Sequence, residues 1–178
     1  MAYSDRTQPH WFAMRTKTLE SRMEELLTGS QLEYFIAKHE ILKGGKRRVV
    51  PVVRGLIFVH ACFDDIMTFK QTRTDKLQFT HVRNVFDRNY ATLTVPDKEM
   101  EDFIRVASEL ETEKRYYMPT EVELKAGQRI RIAEGPFKGV EGTLLKIKGL
   151  RDKRFVVSIP GFLSVATIVD PSFIQVVS

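Results

Sequence analysis

Cations rather than nucleophiles are what this chain offers a ligand. The densest group is Lys43-Gly-Gly-Lys-Arg-Arg48, and no acid interrupts residues 43–54. With Lys17, the residues Lys43, Lys46, Arg47 and Arg48 are the candidates for contact with DNA or RNA phosphates, because a cation set on a phosphate releases condensed counterions. A solvated hairpin tip is an equal reading of each residue alone; the clustering favours function. A second basic stretch, residues 125–154, holds nine Lys or Arg against three acids, which suits RNA or an acidic protein face. Bond-breaking chemistry has little to work with. There is no phosphate-cradling Gly-x-x-x-x-Gly-Lys-Ser/Thr run, no cluster with metal-ligand spacing and no recognisable nucleophile motif. The acids are scattered or stand at helix starts, as caps do, so neither catalytic residue, metal nor cofactor is expected, and the chain does not read as an enzyme. His39, His60 and His81 lie in strand patterns, where a hydrogen-bonded structural histidine outweighs a ligand. The single cysteine, Cys62, has no partner for an internal disulfide, which fits a reducing compartment.

At 178 residues the chain has room for one domain or two small ones, and its net charge of +5 is compatible with a nucleic-acid partner. A hydrophobic fraction of 43% with 29% charged residues describes an ordinary globular protein. No apolar run approaches the roughly 18 residues that cross a bilayer, and the opening residues lack the apolar centre of a signal peptide. A cytoplasmic monomer is the expectation.

Periodicity supplies the elements that must position these groups. Residues 10–16, with Trp11, Phe12 and Met14, read as a strand, and Trp11 reads as core rather than as a stacking platform. Thr18 is expected to cap a helix that carries Leu19, Met23, Leu26 and Leu27 on one face and closes at Thr28-Gly29. Residues 34–42 alternate as one strand, 43–48 form a basic hairpin tip, 49–53 return, and 54–60 read as a buried strand. Asp64 or Asp65 is expected to cap a helix running to about Arg73. Residues 79–82 and 91–95 read as a strand pair around the turn-like Phe86-Asp-Arg-Asn89. Pro96-Asp97 then opens a helix with Met100, Phe103, Ile104 and Ala107 at i, i+3, i+4 and i+7. Such alternation of strands and helices implies an α+β sheet domain. Residues 110–121 lose the periodicity, contain a proline and read as a linker, with Arg115-Tyr116-Tyr117 packed on a domain rather than stacking on bases.

The most informative run is 127–147. It reads as two short strands, with Ile130 and Ile132 before a turn and Val140, Leu144, Leu145 and Ile147 after it. Gly135-Pro136 sets the turn, since proline fixes φ and glycine accepts conformations that side chains forbid. Gly139 and Gly142 bracket the start of the second strand, where a missing side chain permits a bulge or a sharp bend. With strands at 155–159, 165–169 and 173–177, the spacing suggests a five-stranded, SH3-like barrel whose closure removes sheet edges. Phe137, Phe162 and Leu163 fall at loops as apolar anchors for a partner, although for Phe137 a structural role beneath the turn is favoured.

The pattern apolar-Arg-Ile, then Gly-Pro-Phe-x-Gly-x-x-Gly, then an apolar strand resembles the KOW motif of the NusG family of transcription elongation factors. Gly127, Ile130, Ile132, Gly135, Pro136, Phe137, Gly139, Gly142 and Ile147 all stand at the expected spacing. Ribosomal proteins carry KOW modules too. The first half, however, resembles the NusG N-terminal (NGN) domain in its order of aromatic strand, helix, strand, Gly-Gly-Lys-Arg-Arg hairpin, Arg-Gly-Leu-Ile-Phe-Val strand and Asp-Lys-Glu helix. The resemblance thus covers about residues 10–177. Val53-Arg54-Gly55-Leu56 stands where the family usually has a proline-aromatic signature, and the chain looks most like the specialised antiterminators RfaH and UpxY, the latter associated with capsular polysaccharide operons. The implied domains are an NGN-like domain at 8–110, a linker at 111–121 and a KOW barrel at 122–178.

The resemblance implies a mechanism without covalent chemistry. The NGN domain docks an apolar patch on the clamp helices of RNA polymerase and touches the opposite gate, which closes the clamp over DNA and nascent RNA and suppresses pausing. The KOW barrel recruits a small-subunit ribosomal protein or the termination factor Rho. By position in the family pattern, Leu56 and Phe58 face the clamp helices, with Arg15 and Phe103 at the rim; Phe58 reads equally as an ordinary core residue. Val53 replaces a frequent aromatic group. Thr68 matches the loop that touches the gate, but Met67 and Phe69 depart from the usual His-Thr-Thr, and a capping or surface role is the stronger reading. The alternative function is a general RNA-binding or ribosome-associated KOW protein, which leaves the first half unexplained. One branch of the family refolds its KOW domain into helices; the β-branched runs at 155–159 and 165–169 favour a stable barrel instead.

Overall fold

A computed structural model describes residues 6–72, 76–83 and 90–177. The chain is mixed α and β and divides into two compact units between Asp97 and Lys98. The first unit runs β1 (His10–Thr16), α1 (Glu20–Gly29), β2 (Glu33–Phe35), β3 (Lys38–Lys43), β4 (Lys46–Pro51), β5 (Leu56–Ala61), α2 (Phe63–Thr72), β6 (Leu77–Phe79), β7 (His81–Arg83), β8 (Tyr90–Thr92) and β9 (Thr94–Val95). Its main sheet has the order β2-β5-β1-β6, with β9 also on β1, and every pairing is antiparallel. Phe12 and Met14 of β1 and Ile57 and Val59 of β5 share one face and pack with Met23 and Leu27 of α1 and Ile66 and Phe69 of α2. Trp11, Ala13, Leu56 and Phe58 alternate to the opposite face and are buried as well. A strand buried on both faces loses polar alternation, which is why β5 reads as a continuous apolar run.

Several local expectations are corrected. Residues 34–42 are not one strand: β2 belongs to the main sheet, the buried Ile36-Ala37 intervenes, and among the described residues β3 pairs only with β4. The period-two pattern continues through the break, so alternation could not reveal a change of partner. Thr18 does not cap α1. Leu19 holds the cap position without a side-chain bond, and Thr18 uses its own N–H on Thr16 Oγ1 at 3.1 Å. Glu20 instead reaches across to accept the Gly55 N–H at 2.6 Å. Asp64 and Asp65 lie inside the first turn of α2, where their charge complements the helix dipole, rather than before it. The expected turn at 86–89 and the helix end at Arg73 lie outside the described residues.

The second unit takes in α3 (Asp97–Ser108) from Lys98 onward, then β10 (Lys114–Tyr117), β11 (Gln128–Ile132), β12 (Glu141–Lys146), β13 (Lys153–Ile159), β14 (Leu163–Thr167) and β15 (Ile174–Val176). α3 falls within the expected 8–110 domain, yet from Lys98 onward it groups with the second unit. Its buried stripe is Met100, Asp102, Phe103 and Val106, with Ile104 and Ala107 only half-buried. One antiparallel sheet has the order β10-β14-β13-β12-β11-β15. It holds six strands rather than five because part of the expected linker forms β10 along β14, with Thr167 Oγ1 donating to Glu113 O at 2.9 Å. Among the described residues the end strands β10 and β15 do not pair with each other, so strand pairing does not close the sheet as expected. Ile130, Ile132, Phe155, Val157 and Val165 bury one face, and Val122, Leu145, Val156 and Ala166 form a smaller cluster on the other.

Candidate nucleic-acid interface

The basic run builds a two-stranded hairpin. Lys43 faces Lys46 across a two-residue loop, and Gly44 and Gly45 take φ of +59° and +75°. Two successive positive φ values define a type I′ turn, whose twist matches that of the strands it joins. Residues directly opposite share a face and neighbours alternate, so the register sorts the side chains. His39, Ile41, Lys43, Lys46, Arg48 and Val50 lie on one face; Lys38, Glu40, Leu42, Arg47, Val49 and Pro51 lie on the other. Charge is unequally neutralised between them. On the second face Lys38 Nζ sits 2.7 Å from Glu24, and Arg47 lies 3.6 Å from Glu40. On the first, Lys43, Lys46 and Arg48 are exposed and have no acidic partner among the described residues.

Lys17 is not part of this hairpin. It follows β1, and its N–H donates to Lys76 O at 3.4 Å, while Arg15 Nη1 donates to Arg54 O at 3.4 Å. Arg15, Lys17, Arg54 and Lys76 therefore form a second exposed basic cluster at one end of the main sheet. Lys76 carried no signal in the sequence, because only pairing of β1 with β6 brings it there. Gly55 fixes the cluster's turn: its φ is +72°, and a Cβ would stand 2.6 Å from Thr16 O.

The apolar docking candidates are buried. Leu56 is 4% exposed and Phe58 is fully buried on the main sheet, and Phe103 is fully buried on α3. A side chain without solvent exposure meets no partner while its surroundings stay as they are. Arg15 is exposed, as a rim contact must be. Thr68 is an exposed α2 residue whose Oγ1 donates to Asp64 O at 2.9 Å, a local bond back to the preceding helical turn rather than a cap.

In the second unit the glycine-rich run forms the loop between β11 and β12. Gly135 and Gly139 have φ of +79° and +86°, Gly139 N–H donates to Ile132 O at 2.7 Å, and Val140 N–H donates to Phe137 O at 2.9 Å. Gly142 lies inside the sheet, where a Cβ would come within 2.6 Å of both Phe155 Cε2 and Val156 O. Phe137 is buried beneath the loop, the structural role favoured for it. Phe162 and Leu163 are not exposed anchors: they are 6% and 1% exposed, Leu163 as the first residue of β14 and Phe162 just before it.

What the sequence missed is that α3 holds this loop. Arg105 donates to Pro136 O at 3.0 Å and Lys138 O at 2.8 Å. The buried Asp102 accepts from Lys98 Nζ at 2.5 Å and from the Glu141 N–H at 3.2 Å. An acid within an otherwise apolar stripe, four residues after a lysine, was the available signal. Glu141 in turn takes Arg131 Nε at 2.9 Å, and the Arg131 guanidinium holds its carboxyl below the ordinary value. A cleft of about 130 Å³ beside these groups is lined by two ion pairs, Lys98 with Asp102 and Arg129 with Glu141, and by Glu99. Cys62 donates to Asp65 Oδ2 at 2.8 Å, which raises the thiol's pKa and so disfavours a reactive thiolate.

No family model matches the sequence, and no curated protein matches it. Among the described residues no three His, Cys, Asp or Glu side chains are grouped to hold a metal ion, and no helix is long and apolar enough to cross a membrane.

Proposed function

We propose that the chain is a transcription elongation and antitermination factor similar to NusG, of the RfaH or UpxY kind. In this reading the first unit rides on the RNA polymerase clamp, the basic groups approach the nucleic acids, and the second unit recruits a small-subunit ribosomal protein or Rho. Polysaccharide operons are the proposed setting. The observation that carries the reading is the loop of residues 133–140, with the KOW-like spacing, two glycines at positive φ and Gly142 packed where no Cβ fits. Its presence in one chain with a mixed α and β unit bearing an exposed basic hairpin favours a polymerase factor over a lone RNA-binding module.

Such a factor works by differential affinity. It biases an open–closed clamp only by as much as it binds the closed form more tightly. Docking through Leu56 and Phe58 requires their sheet face to become accessible, whereas Arg15 is available as it stands. The test is co-purification of the intact chain with RNA polymerase, followed by single-round transcription over a pause and a terminator. Stable binding, shortened pauses and increased read-through are expected, with Arg15→Glu weakening all three. A chain that ignores polymerase yet binds RNA or the small ribosomal subunit belongs to the alternative class.

A further inference from the structure

The cleft between α3 and the sheet of the second unit holds one charge without a counterpart. Lys98, Glu99 and Asp102 of α3 line it with Arg129 of β11, Glu141 and Thr143 of β12 and Ser158 of β13, and Leu124, Val156 and Pro160 add apolar walls. Lys98 is bonded to Asp102, and Arg129 lies 3.4 Å from Glu141. Glu99 is half-buried, and among the described residues neither a hydrogen-bond donor nor a cation reaches it. Its place in the first turn of α3 suits the helix dipole but leaves its carboxylate oxygens unbonded. Asp102, three residues on, is a second acid beside it, and neighbouring like charges on a helix favour a cation between them.

We infer that this cleft binds a short aliphatic chain ending in a primary ammonium, a site independent of the polymerase reading. An ammonium brings one positive charge and three N–H donors. Glu99 meets the charge, and two hydroxyls from neighbouring strands supply further acceptors. Thr143 packs its methyl toward Gly127, and its Oγ1 has no partner among the described residues. Ser158 Oγ shares a hydrogen bond with Ser164 Oγ at 2.7 Å and retains a lone pair. Leu124, Val156 and Pro160 suit the methylenes. A metal ion fits less well, since no three His, Cys, Asp or Glu among the described residues are grouped to hold one. An anion also fits less well, because both cations of the lining already face carboxylates. At about 130 Å³ the cleft falls below the roughly 300 Å³ at which pockets for drug-sized ligands begin, so the chain must be short.

Titration of the intact chain with 1-aminobutane, followed by amide chemical shifts, tests this at millimolar concentrations, because so few heavy atoms bind weakly. Saturable shifts gathered at residues 98–102, 141–143 and 156–158 are expected. The net charge of +5 repels cations at long range, so saturation by an amine marks a local site. Glu99→Gln should weaken binding about tenfold and Thr143→Val about fivefold, while Glu101→Gln, at an exposed acid of the same helix, leaves it unchanged. Butyrate, with the opposite charge, and butyltrimethylammonium, with the charge but no N–H donor, should each bind about tenfold more weakly than the amine. Circular dichroism checks that each variant is folded; if Glu99→Gln is not, Thr143→Val decides. Shifts scattered over the surface overturn the inference, as does an affinity unmoved by Glu99→Gln or, where that variant does not fold, by Thr143→Val. So does an equal loss in Glu101→Gln, or butyrate binding as tightly as the amine.

Discussion

Gln31 occupies a left-handed conformation, φ 56°, that helix ends normally give to glycine. Leu32 N–H donates to Leu27 O at 3.2 Å and Gln31 N–H to Thr28 O at 3.1 Å, the two bonds of a Schellman close. The sequence drew attention to Gly29, but α1 absorbs that residue and turns two positions later. Gln31→Gly should therefore stabilise the first unit by about 1 kcal/mol, read as a raised urea midpoint, since it relieves the strained φ. Glu141 gives a prediction in pH. Its folded pKa is depressed by Arg131, so its contribution is complete above the ordinary carboxylate range and is lost as pH falls through the lowered value. Glu141→Gln should flatten part of the acid-side loss of stability in urea midpoints measured from neutral pH downward; an unchanged acid limb would show that the pair contributes nothing. At this scale the cations were legible and the apolar contacts were not. An exposed Lys43 and a buried Phe58 each obey their pattern, but a strand offering one face to a partner and one buried on both faces are spelled with the same apolar residues.

The hairpin was the most legible element, because Gly-Gly flanked by cations dictates both its turn and its exposure. Its two glycines at positive φ have nothing within 4 Å of a Cβ, so alanine there costs backbone strain alone. Gly44→Ala with Gly45→Ala should destabilise the hairpin by roughly 1–2 kcal/mol per residue. Since among the described residues β3 and β4 pair with no other strand, that loss should remain local. Hydrogen exchange should quicken at the amides of β3 and β4 while the core amides of β1 and β5 keep their protection; a matching loss in β1 and β5 would mean that hairpin and sheet unfold together. β10 shows the opposite case. Lys-Arg-Tyr-Tyr after a run of acids carries little strand signal, because an added edge strand needs apolar contact on few positions and draws its stability from the ladder to β14. Only the partner makes the strand.

For the whole molecule, the sequence conveyed the mixture of helix and sheet, but not the grouping of α3 with the second unit. The amphipathic spacing of α3 says that one face is buried and cannot say against what; the bonds from Arg105 and Asp102 to the 136–141 loop are long-range facts. The same asymmetry bears on whether the second unit has an alternative helical form. β13 and β14 are buried along nearly their whole length, and they are joined to each other, to β12 and to β10 by continuous antiparallel ladders. Refolding to helix would surrender those pairings, place the β-branched Val156, Val157, Ile159 and Val165 where their side-chain freedom is restricted, and carry the glycines of the 135–142 loop into a helix interior. Residues 111–178 alone should consequently give a β-type far-ultraviolet circular dichroism spectrum with one cooperative thermal transition. Strong helical minima from that fragment would show that the sheet depends on α3, and that a helical state lies within reach of this sequence.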